Sequence, residues 1–486
     1  MGISLNPATI LSGQGLDVTS VVNQIISGQS GQLTVWQGQQ TTLATQDGLL
    51  EGIDNNLTNL QSAVAALASP TGPLTAQAAT SSQPGVVTAT AQGTAIAGTH
   101  QIVVTSLATT GSLYTNPIAA GAGASFLSGG QTSGDLQLQV GGVSGTTRDI
   151  PITQGSNDTL TTLASYINTQ STANHWGVTA SVVSDSSGSR LSLQSQNSGN
   201  AGALAITTNS STTLGFATSQ GGANAVLTVD GVPFSSSTNT VTGAIQGVTL
   251  SLVSQAPDDP VQLTVGPDQS QITAAVNNFV SAYNTVVSTI NTQYSVDPTG
   301  AIPAPPLESD ISLRSLQSSL LTDSSYAIGG NSGLVNLASL GINQNNDGTL
   351  TVGSTPGPNS QTFAQILAAN PSAVLNFFQN SSGTGFANNF NADLTNLAAP
   401  TSGPLNIDLA QNQAEQADLT TAITNFETQL TTESTALTAQ YDAVNASLQQ
   451  YPLLLQQVTE ILGTLGSGTS ASGALVSSGP TLTSGL

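Results

Sequence analysis

The sequence predicts an α+β multidomain protein whose N- and C-terminal helices pair into a coiled coil or helical bundle, with β-rich domains inserted between them. Three observations carry this: seven-residue apolar spacing near both ends, two-residue alternation in the middle, and one strongly amphipathic helix after the β-rich stretch. A chain of 486 residues with 38% hydrophobic content divides into about three or four domains.

From Trp36 an apolar line runs through Leu43, Leu50, Leu57 and Val64, joined by Ile53, Leu60 and Leu67, until Pro70, Gly72 and Pro73 end the helix. Toward the other end Ile423, Leu430, Leu437, Val444 and Tyr451 keep the same spacing, flanked by Leu419, Phe426, Tyr441 and Leu448. Such spacing favours helices wound left-handed about one another. Packing of each helix on its own domain core gives the same pattern, and one long helix can do both. Trp36, Leu43, Leu50, Leu57, Val64, Ile423, Leu430, Leu437, Val444 and Leu448 are therefore the expected contact residues of the terminal helices and of any oligomer they build. The third helix carries Ile272, Val276, Phe279, Tyr283, Val286, Val287, Ile290 and Tyr294 on one face, with Asp268 or Ser270 placed to cap it and Pro298 to stop it.

Between these helices Leu136, Leu138 and Val140 alternate with Gln, Val248, Leu250 and Leu252 with Thr and Ser, and Val261, Leu263 and Val265 with Gln and Thr. These are half-buried strands. Asp230-Gly231 between two short apolar runs predicts a hairpin. The Gly/Ser-rich stretches 121–130 and 211–222 are expected to cross between β domains.

Charge is scarce and one-sided: 25 acidic residues face Arg148, Arg190 and Arg314, and lysine does not occur. Nucleic acid is excluded as a partner, because phosphate binding needs clustered Lys and Arg. No run of about 18 apolar residues is available to insert in a membrane, and the N-terminus lacks the basic and apolar regions of a cleaved signal peptide. Solubility rests on Ser, Thr, Asn and Gln, which hydrogen-bond water at any pH. Such a surface is expected to tolerate acid, where carboxylates are protonated and few arginines remain to repel one another.

GLDVTSVVNQIISGQ near the N-terminus, GTHQIVVTSLAT at 98–109 and TLTTLASYINTQ…GVTASVV at 159–183 resemble, in that order, the opening, the next strand and a flagellin-type repeat built around Ile-Asn, here Ile167-Asn168, of the flagellar filament cap proteins, the flagellar hook-associated protein 2 family. ANAVLTVDGVPF, SSTNTVTGAIQGVTLSL, ITAAVNNFVSAYNTVVSTIN, LESDISLRSLQSSL and LASLGINQNNDGTLTV follow in order, so the resemblance spans roughly 12–465. His100 departs from it, where an aromatic is common, and so do the terminal helices, which lack its many Lys and Arg. The domains expected are flexible terminal leg segments at 1–35 and 445–486, and a helical bundle with a small β-hairpin at 36–74 and 267–444. A β-rich head domain is expected at 75–130 and 220–266, and a second, holding the Ile-Asn motif, at 131–219.

The resemblance implies a non-enzymatic cap of about five copies at the distal tip of the bacterial flagellum, which prevents leakage of exported flagellin and promotes its folding and polymerisation. It implies flagellin, hook-filament junction proteins and a flagellar export chaperone as partners, and export by the flagellar type III route without a cleaved signal peptide. The alternative is a surface adhesin whose outward β head binds host or environmental glycans. Residues 1–15 and 466–486 read as disordered alone, with Leu5, Ile10, Leu16 and Val18 free to fold on a partner.

No catalytic, cofactor-binding or metal site is expected. Only His100 and His175 occur, and both read as structural. Asn343, Asn345, Asp347 and Gly348 faintly imitate a calcium loop, but Ser354 stands where the bidentate Glu belongs, so a hairpin turn is expected. Asp258-Asp259-Pro260, and Glu308 with Asp310, read as solvated acids in Pro-containing loops.

Overall fold

The computed structural model describes residues 16–295, 299, 303–353, 361–380 and 382–466. The chain forms two compact units: Met1–Thr58, Val286–Ser319 and Leu394–Leu486 make the first, and Asn59–Thr285 with Leu320–Asp393 the second. The first is helical. Helix α1 (Val18–Gln29) begins at Asp17, whose Oδ1 accepts from the Ser20 amide at 3.1 Å, and α2 (Gly31–Ala68) follows almost at once. Val18, Val21 and Val22 are buried, so Val18 is seated within its own chain; Leu5 and Ile10 lie outside the described residues. Helix α9 (Pro404–Gly466) runs for 63 residues, beginning well before the heptad pattern and continuing through Pro452.

In the second unit two β-rich layers are stacked on cores of their own. The antiparallel sheet β1-β15-β3-β11-β12 joins Gln77–Ser81, Ala256–Pro267, Gly98–Ser106, Ala225–Val229 and Val232–Ser236. With the sheet β13-β14-β2 (Thr240–Ile245, Val248–Leu252, Val87–Ala91) it encloses Val87, Ile102, Val104, Leu227, Leu250 and Leu263. Strict alternation puts those side chains on one face of each strand. The β11–β12 turn is made by Asp230 and Gly231, both at positive φ (50° and 83°), as a tight hairpin turn requires. Asp258 and Asp259 are exposed as expected, but they lie within β15 rather than in a loop. A register shift between Ala256 and Val261 takes up the two flanking prolines.

The other layer holds the sheet β10-β4-β8-β7 (Phe216–Gln220, Thr110–Thr115, Gly188–Ser198, Val178–Asp185) and the sheet β6-β5-β9 (Thr146–Thr153, Ser133–Val140, Leu204–Ser210). Helix α3 (Leu160–Asn174) packs with them around Leu136, Leu138, Ile150, Ile167, Trp176 and Leu193. The expected crossing at 121–130 is not one, since Phe126 is buried in this core; the stretch 211–222 holds Phe216–Gln220, which pairs with β4, and only then passes to β11 of the other layer. Gly and Ser there permit close backbone turns, which composition alone does not separate from linkers.

The Ile-Asn motif now has a physical reading. Ile167 is fully buried, while Asn168 turns to β7, the edge strand. Its Nδ2 donates to the Ala180 carbonyl and its Oδ1 accepts from the Ala180 amide, both at 2.8 Å. One side chain thus supplies the pairing that a further strand would have made, closing an open edge. His175 ends α3 in the left-handed conformation (φ 51°) and donates its amide to the Ser171 carbonyl.

The helical part of the second unit completes it. Helix α4 (Gln269–Thr292) starts at Asp268, whose Oδ1 accepts from the Ser270 and Gln271 amides; Pro298 lies outside the described residues. Around α4 lie α5 (Ile311–Ser324), α6 (Phe363–Ala369), α7 (Pro371–Phe378), α8 (Phe386–Leu397) and the hairpin β16–β17 (Ile342–Gln344, Leu350–Val352). Phe386 is the centre of an aromatic cluster, 5.7 Å from Phe279, 5.4 Å from Phe377 and 5.7 Å from Phe390 between ring centroids. Helices α2, α4, α5 and α8 contribute residues to both units.

Asn168→Ala removes both bonds to Ala180 at once, and a loss of about 1–3 kcal/mol is expected. Hydrogen exchange checks it: the Ala180 amide should lose protection before the buried strand β8 does.

Candidate functional site

The expected contact residues divide by burial. Leu50, Leu57 and Leu430 are buried in the first unit, and Val64 is buried in the second. Trp36, Leu43, Ile423, Leu437 and Leu448 are half-buried, and Val444 is 49% exposed. Trp36 meets Phe426 edge to face, with ring centroids 5.6 Å apart at 82°.

What fixes the pairing of α1 and α2 with α9 is a ladder of polar contacts. The Leu16 amide donates to Asn445 Oδ1 (2.6 Å), Gln29 Nε2 to Glu433 Oε1 (2.9 Å) and Gln40 Nε2 to Thr420 Oγ1 (2.8 Å). Asp47 accepts from Asn412 Nδ2 (2.9 Å) and Gln416 Nε2 (2.6 Å), and Asp54 Oδ1 accepts from Asn406 Nδ2 (3.2 Å). Positions on α9 fall steadily as those on α1 and α2 rise, so the pairing is antiparallel with one register. Neither α1, α2 nor α9 contains a basic residue, and amides do the work that salt bridges would do elsewhere. Along α9, Thr420, Thr424, Thr428, Thr431 and Thr435 also fold their hydroxyls back onto the carbonyl four residues earlier. Heptad reading found the apolar side of this site. It missed the ladder, although Asp47 and Asp54, seven residues apart beside Leu50 and Leu57, were visible.

Beyond Asn445, α9 continues with Tyr451, Leu453, Leu454, Leu455, Val458, Ile461 and Leu462 exposed, each 50% or more. Burial raises the pKa of Asp54, opposed by its bond to Asn406. It also raises that of Asp408, opposed by a bond from Ser312 and reinforced by the charge of Asp310.

The other candidates are structural in their geometry. His100 Nδ1 lies 2.7 Å from Asp230 Oδ2, and the Gln101 amide donates to Asp230 Oδ1 at 2.8 Å, so the pair braces the β11–β12 turn. Asp347 Oδ1 accepts from the Thr349 amide at 3.0 Å across the β16–β17 hairpin, with Gly348 at φ 83°; Ser354 lies outside the described residues. Asp310 Oδ1 accepts from the Leu313 amide at 2.9 Å and caps α5 rather than standing free in solvent. Among the described residues no cluster of three or more His, Asp or Glu is placed to hold a metal ion, and no helix is long and apolar enough to cross a membrane.

An antiparallel pair of terminal helices, β-rich inserts and a helix-strand module pinned by Ile167 and Asn168 make this an α+β multidomain protein; residues 135–197 match the flagellin hook IN motif. Residues 14–111 match the N-terminal, and residues 222–452 the C-terminal, region of flagellar hook-associated protein 2. The chain is 30% identical to the B-type flagellar hook-associated protein 2 of Pseudomonas aeruginosa, over 76% of its own length and 79% of that protein's. It is 26% identical to flagellar hook-associated protein 2 of Escherichia coli K12, over 68% and 72% of the two lengths. The crystal structure of the D1-D2-D3 domains of the Escherichia coli flagellar cap protein FliD shares the fold, with a TM-score of 0.54 at 24% identity, covering 75% of this chain and all but 1% of that one. The chain belongs to the flagellar hook-associated protein 2 family.

Asp47→Ala should weaken the α2–α9 pairing by about 1.5–3 kcal/mol, the range for hydrogen bonds to a charged group. Raising salt to about 1 M should not weaken the wild-type pairing, because it holds no ion pair to screen. The pH dependence has a definite sign. The folded-state pKa values of Asp54 and Asp408 lie above their unfolded values, so this contribution is complete below the unfolded value of 3.8 and is lost as pH rises through the folded values. Acidification from neutral to about pH 5 should therefore hold or raise the stability of the helix pair, read by urea unfolding followed through helical circular dichroism.

Proposed function

We propose that this protein caps the flagellar filament: an oligomeric plate at the distal tip that retains exported flagellin and promotes its folding and polymerisation. The observation that carries this reading is family membership over three quarters of the chain, including the flagellin-type module. The β-rich layers of the second unit supply rigid plate material, with buried cores of their own. The terminal helix pair supplies the legs, and the exposed apolar run from Tyr451 to Leu462 is surface for flagellin or a neighbouring copy to bury. A homo-oligomer of about five subunits fits a closed ring on such a tip. The site of action is extracellular, reached by the flagellar type III route, with an export chaperone before secretion and hook-filament junction proteins at the start of assembly. The adhesin alternative gains no support from the relatives, which are named for the hook and the cap.

Leu437→Asp tests the leg assignment. Leu437 is half-buried between Leu430 and Val444, and a carboxylate there forfeits about 1.5–3 kcal/mol of apolar burial. In a strain lacking the native protein, the variant should release flagellin to the medium and grow short filaments or none, while near-UV circular dichroism of the β-rich layers is unchanged. Normal filaments would overturn the assignment of the terminal helices as legs.

A further inference from the structure

We propose that residues 3–11 seat on the uncovered seam of α9 beyond Leu448, in the same chain and antiparallel to it, extending the contact that α1 and α2 already make. Along that contact Leu16 meets Asn445, Gln29 meets Glu433, Gln40 meets Thr420 and Asp54 meets Asn406, so each step forward on α1 and α2 is a step back on α9. The covered face of α9 is marked by Leu430, which is buried, and by Leu437, Tyr441 and Leu448, which are half-buried. Leu455 and Leu462 continue the line of Tyr441 and Leu448 at seven-residue spacing, yet they are 62% and 63% exposed. Tyr451 and Val458 flank them and are exposed too. The apolar seam thus runs on past its last contact at Asn445.

Register, charge and tether name the occupant. Carried back past Leu16, the register sets Ile10 opposite Tyr451, Leu5 opposite Gln456 beside Leu455, and Ile3 opposite Val458. Asn6-Pro7 is a helix-start pair, so a helical rise fits this stretch, and slack at Gly13 or Gly15 moves Ile10 from Tyr451 toward Leu455 on the same seam. Charge raises no objection: residues 3–15 hold no charged side chain, and in α9 from 446 to 462 the single one is Glu460. The Leu16 amide is bonded to Asn445 Oδ1 at 2.6 Å, which tethers the segment beside the seam. Its effective concentration there is on the order of mM, an advantage that a second copy or flagellin arriving from solution lacks. Leu454 and Ile461, seven residues apart beside the seam, and Leu453 across the helix stay uncovered, and these are left to the partner in the cap reading proposed above.

The sequence has no cysteine, so pairs introduced into the full chain report the contact directly. Under mild oxidation in dilute solution, Ile10→Cys with Tyr451→Cys or with Leu455→Cys should form an intrachain disulfide in one or both pairs, since Cα atoms closer than about 7 Å can be bridged. Ile10→Cys with Leu453→Cys, on the far side of α9, should stay reduced. Independently, Ile3→Asp combined with Ile10→Asp should cost residues 446–462 about tenfold in hydrogen-exchange protection and leave 404–440 unchanged. Should a cysteine variant fail to fold, the exchange comparison decides alone. The seating is overturned if neither seam pair closes within one chain, if the Leu453 pair closes as readily, or if wild type and the aspartate variant protect 446–462 equally. Disulfides formed only between chains would make a second copy the occupant, and protection that appears only when flagellin is added would make it flagellin; either result overturns the proposal.

Discussion

The dominant constraint on this molecule is that its carboxylates have almost no cations to meet. With lysine absent and three arginines on strands or capping contacts, interior and interhelical polarity must be satisfied by groups that both donate and accept without charge. Asparagine is the principal solution. Asn168 closes on Ala180, Asn284 on Leu350 and Asn239 on Ala108, each pairing its amide with the N–H and C=O of a single residue. These three clamps pin, respectively, a helix to an edge strand, a helix to a hairpin, and a loop to the start of a layer. The ladder along α2 and α9 is the same chemistry applied between helices, with Asp47 and Asp54 accepting from amides.

Legibility in the sequence followed the strength of the local signal. The α4 face, the strands β5, β14 and β15 and the turn at Asp230-Gly231 are written in periods of 3.6 and 2 and in one residue pair that tolerates positive φ. The segment of helix α3 was singled out only as part of a flagellin-type repeat and not as a helix, because Thr161, Thr162, Ser165 and Thr169 dilute its apolar face with residues that favour strands and turns. Its hydroxyls bond back along the helix, as Ser165 does to Thr161 and Thr169 to Ser165, which no pattern announces. The early start of α9 at Pro404 also escaped heptad reading: the buried Leu405 and Leu409 keep the register of Leu419 and Ile423, but the heptad positions between them are the polar Asn412 and Gln416.

The site was half legible for a related reason. Apolar contacts repeat, so Leu50, Leu57 and Leu430 could be named from spacing alone. The polar partners do not repeat. Whether Asp47 faces solvent or Asn412 depends on the rotation of two helices whose paired residues lie 365 apart in sequence, and a single carboxylate among glutamines and threonines looks solvated.

The exposed end of α9 joins these threads to function. Interhelical pairing reaches its last described contact at Asn445, and Pro452 follows one to two turns later. Proline has no N–H to return to the Leu448 carbonyl, so the hydrogen-bond ladder is interrupted just where the covering helix stops. The residues beyond, from Leu453 to Leu462, expose apolar side chains on more than one face, where a helix resting on a single core would carry one stripe. A segment of that composition gains little from water on any side. In the function proposed above that surface is what flagellin or a neighbouring copy would bury, while the Asp47 and Asp54 ladder sets the register of the helix that precedes it.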